Sequence, residues 1–110
     1  MKSMKIFLFL MCGSLILSTA VSAHKVNIFA YVESGTIYTE SYFPDGRAVE
    51  KGKVQIYDSQ DNLIQEGTTD NEGLCSFEIP KVDELTIVID ASMGHRNSFV
   101  LSKDEVEAGQ

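Results

Sequence analysis

Seven short runs with a two-residue apolar period, each closed by turn residues, constrain this chain more than any other feature. Between residues 25 and 102 no 3.6-residue pattern lasts long enough for a helix. Residues 25–32 set Val26, Ile28, Ala30 and Val32 against Asn27, Phe29 and Tyr31, and apolar bulk on both sides predicts a strand covered on both faces. Residues 36–43 form the second run, and Pro44-Asp45-Gly46-Arg47 opens a loop that reaches Gly52. Further runs follow at 53–58, 63–68 and 74–79, the last stopped by Pro80. Residues 85–91, Leu-Thr-Ile-Val-Ile-Asp-Ala, are the most β-prone and are expected at the centre of a sheet. Residues 98–102 make the seventh run.

Turns about every 8–12 residues predict an all-β chain, a seven-stranded antiparallel β-sandwich over residues 24–103. Two facing sheets hide the alternating apolar faces that a single sheet of this size leaves in water. Residues 104–110 carry little apolar content and are expected to form an acidic flexible tail.

Residues 1–23 have the pattern of a secretory signal peptide. Lys2 and Lys5 form a basic start, residues 6–17 an apolar centre too short to span a bilayer, and Val21-Ser22-Ala23 a small-residue cleavage site. An alternative site follows Ser18-Thr19-Ala20. Cys12 is not read as a lipidation site, because Phe9-Leu10-Met11 lacks the small residue that precedes a lipidated cysteine. The expected location is outside the cytoplasmic membrane, in a periplasm or on the extracellular face, with no membrane span in the mature chain.

Cleavage after Ala23 removes 23 of the 110 residues and leaves 87, with seven basic residues against sixteen acidic ones, a formal charge of −9. Such a surface disfavours nucleic acid, whose binding rests on neutralising phosphates, and it concentrates cations. Cys75 is then the only cysteine, so no intramolecular disulfide forms; it shares a strand face with Phe77 and Ile79 and reads as a buried, inert thiol.

Only two histidines are present, His24 and His95. If successive strands reverse direction, the start of the first strand, the loop 44–52, the turn 69–73 and the loop 91–97 share one pole. His24 and His95 then share it too, with Asp45, Asp70 and Glu72 as acidic neighbours. After cleavage His24 is the mature N-terminus, and its α-amine and ring Nδ1 can chelate one metal ion. The imidazole of His95 completes a three-nitrogen set suited to Ni²⁺, Co²⁺, Cu²⁺ or Zn²⁺. Met93 is a weaker candidate, as a soft axial ligand. Read alone, His95 is equally a turn residue bonded to backbone, Met93 a core plug, and Arg96 the partner of a nearby carboxylate.

Catalytic constellations are not indicated. There is no serine elbow, no phosphate-cradling glycine loop, and little room for a substrate cleft in 87 residues. The chain is therefore read as a binding protein and not an enzyme.

Two resemblances follow from particular motifs. Gly46-Arg47-Ala48-Val49, Gly52-Lys53-Val54-Gln55-Ile56-Tyr57-Asp58, Gly67-Thr68-Thr69-Asp70 and Phe77-Glu78-Ile79-Pro80 resemble the carboxypeptidase regulatory-like domain. That resemblance implies a transthyretin-like sandwich. His24-Lys25-Val26-Asn27-Ile28-Phe29-Ala30-Tyr31, Tyr38-Thr39-Glu40-Ser41-Tyr42-Phe43-Pro44-Asp45-Gly46-Arg47 and Met93-Gly94-His95-Arg96 resemble the small exported accessory subunit of energy-coupling-factor-type nickel/cobalt transporters. This second resemblance implies capture or delivery of Ni²⁺ or Co²⁺ to membrane subunits of such a transporter, with His24 and His95, and more weakly Met93, as ligands. The sequence departs from that pattern at Ser92, where a glycine is expected. Two alternatives stand beside it: a protein- or glycan-binding sandwich at the cell surface without metal, and a periplasmic copper-handling protein.

Overall fold

The structure, a computed structural model, describes residues 26–110; the expected signal peptide and His24 lie outside the described residues. In chain order come strands β1 (Asn27–Glu33), β2 (Thr36–Tyr42), β3 (Lys53–Tyr57), β4 (Leu63–Thr68), β5 (Leu74–Glu78), β6 (Leu85–Asp90) and β7 (Arg96–Leu101), then helix α1 (Lys103–Ala108). They form two sheets, β1-β2-β5 and β4-β3-β6-β7, with every pairing antiparallel. The seven expected strands are thus present in a sandwich-like all-β arrangement.

Side-chain alternation explains the layering. Ile28, Ala30, Ile37 and Phe77 from one sheet meet Val54, Ile56, Ile87 and Ile89 from the other in one apolar cluster. The run at 85–91 becomes β6, flanked by β3 and β7, and its Leu85, Ile87 and Ile89 are fully buried. Burying each such side chain contributes about 1.5–3 kcal/mol. Strand β7 begins at Arg96, two residues before the expected start, because its ladder with β6 continues through Ile89↔Asn97 to Asp90↔Arg96.

Two expectations are corrected. Strand β1 is not covered on both faces. Its Ile28 and Ala30 point inward, but Phe29 is 52 % and Tyr31 39 % exposed. A three-stranded sheet with a partner sheet on one side has an outer face, and these rings lie on it. The acidic tail is also ordered. Ser102 Oγ accepts the Glu105 amide at 3.1 Å and Glu105 Oε1 accepts the Ser102 amide at 3.0 Å, a capping box that starts α1. Val106, the helix's single buried side chain, is fully enclosed. The Gly35 amide then donates to the Gly109 carbonyl at 2.8 Å. A Cβ at Gly109 would collide with Val32, so the chain passes β1 at a distance only glycine allows. One apolar residue in the right place anchors a helix this short.

Cys75 is a half-buried free thiol packed against the core, and burial pushes its pKa up, away from the reactive thiolate. Among the described residues, no helix is long and apolar enough to cross a membrane.

Candidate metal centre

Strand register fixes the two poles of the sandwich. Asn27 pairs with Tyr42, Glu40 with Leu74, and Asp90 with both Lys53 and Arg96. The start of β1, the loop after β2, the turn before β5 and the β6–β7 hairpin therefore share a pole, as strand parity requires. Two contacts bind them directly. The Asn97 amide Nδ2 donates to the Val26 carbonyl at 3.0 Å, joining the start of β1 to the hairpin that bears His95. The His95 ring meets Phe43 edge-on, with centroids 6.1 Å apart and planes at 86°. Phe43 in turn carries the Arg47 guanidinium over its ring at 4.8 Å.

The base of this pole is tied down. Thr69 is buried; its hydroxyl donates to the Val49 carbonyl at 2.6 Å and accepts the Gly52 amide at 2.8 Å. Gly73, at φ +79°, presses on the Ser41 carbonyl so closely that an added Cβ would collide with it.

The hairpin loop follows from its residues. The Ala91 amide donates to the His95 carbonyl at 2.9 Å and the His95 amide to the Ser92 carbonyl at 3.0 Å. Met93 (φ +54°) and Gly94 (φ +80°) are the central residues of this turn, both left-handed, as a type I′ turn demands. Ser92 is left-handed as well, at φ +70°, which is why glycine suits that position. Its amide donates to Asp90 Oδ1 at 2.9 Å, a bond that offsets part of the backbone strain. Met93 is 93 % exposed at the tip. It borders a shallow depression with Lys51, Lys53, Asp90 and Arg96, whose lining does not include His95. Met93 is thus neither a core plug nor turned into a cavity shared with His95. Arg96 stands 4.0 Å from Asp90, in the carboxylate-partner role expected of it.

The acidic neighbours are engaged locally. Asp45 accepts the Arg47 Nε–H at 2.7 Å and its amide at 3.0 Å, and these bonds hold its carboxyl below the usual range. Asp70 Oδ1 accepts the amides of Glu72 and Leu74 at 2.8 and 3.0 Å. Glu40 accepts the Tyr42 hydroxyl at 3.0 Å, which raises that phenol's pKa; Glu72 nearby adds to the shift. Among the described residues, no three His, Cys, Asp or Glu side chains gather as a metal-holding group. His95 is half-buried at the pole, and a nitrogen set including His24 involves a residue outside those described.

Sequence reasoning missed Phe43 as the surface that His95 packs on and Asn97 as the clasp to β1. Asn97 carried a signal, since it is a polar residue at an inward-alternating position of β7. No protein-family model matches the chain, and neither a curated protein nor a solved structure is significantly similar to it.

Proposed function

We propose that this chain is the exported accessory component of a nickel/cobalt uptake transporter, built on a carboxypeptidase regulatory-like, transthyretin-like domain. Its cargo is Ni²⁺ or Co²⁺, held by His24 and His95 and passed to the transporter's membrane subunits without catalysis. The observation that carries the reading is the Asn97–Val26 hydrogen bond, which fixes the start of β1 beside the His95 hairpin. His24 precedes Val26 by two positions, with Lys25 alone between them, a span of at most about 7 Å. An N-terminal histidine supplies an amine and an imidazole nitrogen from one residue, and His95 supplies a second imidazole. Nitrogen donors of this kind suit Ni²⁺ and Co²⁺. Met93 is a minor contributor in this reading, because it stands in solvent at the hairpin tip.

The test is calorimetric titration of the protein, purified after export with its own leader and its N-terminus read by mass spectrometry. The expected result is a chain starting at His24 that binds Ni²⁺ and Co²⁺ with one site, weakened at least about tenfold by His95→Ala. No binding, or binding indifferent to His95→Ala, overturns the metal role. Tight Cu²⁺ binding in the same titration would not by itself mark a copper-handling protein, since copper heads the usual affinity order. A second reading, a surface module that binds a protein or glycan without metal, draws support from the aromatic rings exposed on β1 and β2.

A further inference from the structure

The outer face of sheet β1-β2-β5 combines two properties. The first is a connected set of rings. Phe29 lies 6.0 Å from Tyr31, Tyr31 stacks on its cross-strand partner Tyr38 at 5.2 Å, and at the sheet edge Phe29 meets Phe99, a core-packed ring of β7 in the other sheet, edge-on at 5.4 Å. Phe29, Tyr31 and Tyr38 are 52, 39 and 37 % exposed. The second is charge of one sign. Glu33, Glu40 and Glu78 alternate onto this face, and β1, β2 and β5 contain no lysine or arginine. Every basic residue among those described (Arg47, Lys51, Lys53, Lys81, Arg96, Lys103) lies outside this sheet. Beside Tyr31 and Tyr38 the surface dips into a depression bordered by Glu40 and Asp70.

Aromatic faces attract guanidinium and ammonium groups, and carboxylates beside them add to that attraction. A second copy docked through this same face would bring carboxylates against carboxylates, and an anionic bilayer surface would be repelled in the same way. We propose that this face docks a basic, extended segment of a partner protein, with an arginine or lysine head group set over Tyr31 and Tyr38 and paired with Glu40. Docking here does not rest on the metal reading, although the Glu40 and Asp70 end of this face lies toward the His95 pole.

The experiment titrates isotope-labelled protein, purified after export, with hexa-arginine and hexa-lysine, with hexa-glutamate as control, and follows backbone amide shifts. The expected result is shifts concentrated on β1, β2 and β5 with the basic peptides alone. Affinity falls about fivefold in Tyr38→Leu and in Glu40→Gln. Both variants keep a dispersed spectrum, and His95→Ala leaves peptide binding unchanged, which separates this surface from the metal reading. Shifts spread over the other acidic surfaces, α1 included, or insensitive to both variants, overturn the proposal. So does perturbation of the same strands by a neutral oligosaccharide or by self-association in place of the basic peptides.

Discussion

The two poles of the sandwich differ in what their loops carry. At the pole away from His95, Asp58 is buried and accepts the amides of Gln60 and Asn62 at 2.9 and 3.0 Å, the Asn62 side chain at 3.2 Å and the Lys81 ammonium at 3.0 Å. Asp83 accepts both the amide and the hydroxyl of Ser59, and α1 closes the edge with its capping box. Asp58 and Asp83 there hold turns, and Glu105 holds a helix start. At the His95 pole, a bonded base formed by Thr69 and Gly73 supports a hairpin with three successive left-handed residues, an exposed methionine and a half-buried imidazole. Asp45 and Asp70 hold turns at this second pole too, so what sets it apart is the strained hairpin with its imidazole and thioether, the place of the proposed metal site.

Substitutions can break that contrast. The largest effect is expected from Gly73→Val, which puts a β-branched residue at φ +79° and drives its Cβ into the Ser41 carbonyl. Loss of about 3 kcal/mol in urea unfolding is expected. A loss below about 1 kcal/mol would mean that the base of the His95 pole yields more readily than its contacts suggest.

Asp58→Asn acts next, through pH. Bonds from the Asn62 amide, and then from the Lys81 ammonium, hold the Asp58 carboxyl well below the usual carboxylate range. A depressed folded pKa means that the unfolded chain binds the proton first as pH falls. The stabilisation is therefore full above about pH 5 and is lost progressively below about pH 4. Thermal melts of the parent chain should fall steeply over that acid range, and the Asp58→Asn variant should start lower and fall less. Parallel curves would remove Asp58 from the acid response.

Ser92→Gly should have the smallest effect, a gain of about 0.5 kcal/mol from relief of the left-handed backbone, less the extra flexibility of an unfolded glycine. Metal affinity measured on the same variant sharpens the comparison. A change in stability with none in affinity would separate the strain of the hairpin from its proposed ligand.

Much of this architecture was legible in the sequence, because a two-residue period and turn chemistry are local signals. Strand count and direction set the poles, and from these the proximity of the first strand to the His95 hairpin followed without coordinates. The helix was hidden by its length: six residues show no period, and Ser102 with Glu105 three residues later was the one available sign. The aromatic face was misread for a different reason. Apolar residues on both sides of a strand indicate burial on both sides only when a second layer exists, and layering is a property of the whole chain. The proposed ligand set has no signature in local spacing, since it would join residues about seventy positions apart and depends on the expected cleavage.

The Gly35–Gly109 hydrogen bond has a practical consequence. It brings Gln110 out of the fold beside the β1–β2 turn, at the end of the sandwich opposite His95. A fluorophore or surface tether attached there would display the histidine-bearing end outward, whereas any addition ahead of His24 would alter the amine on which the proposed chelate depends.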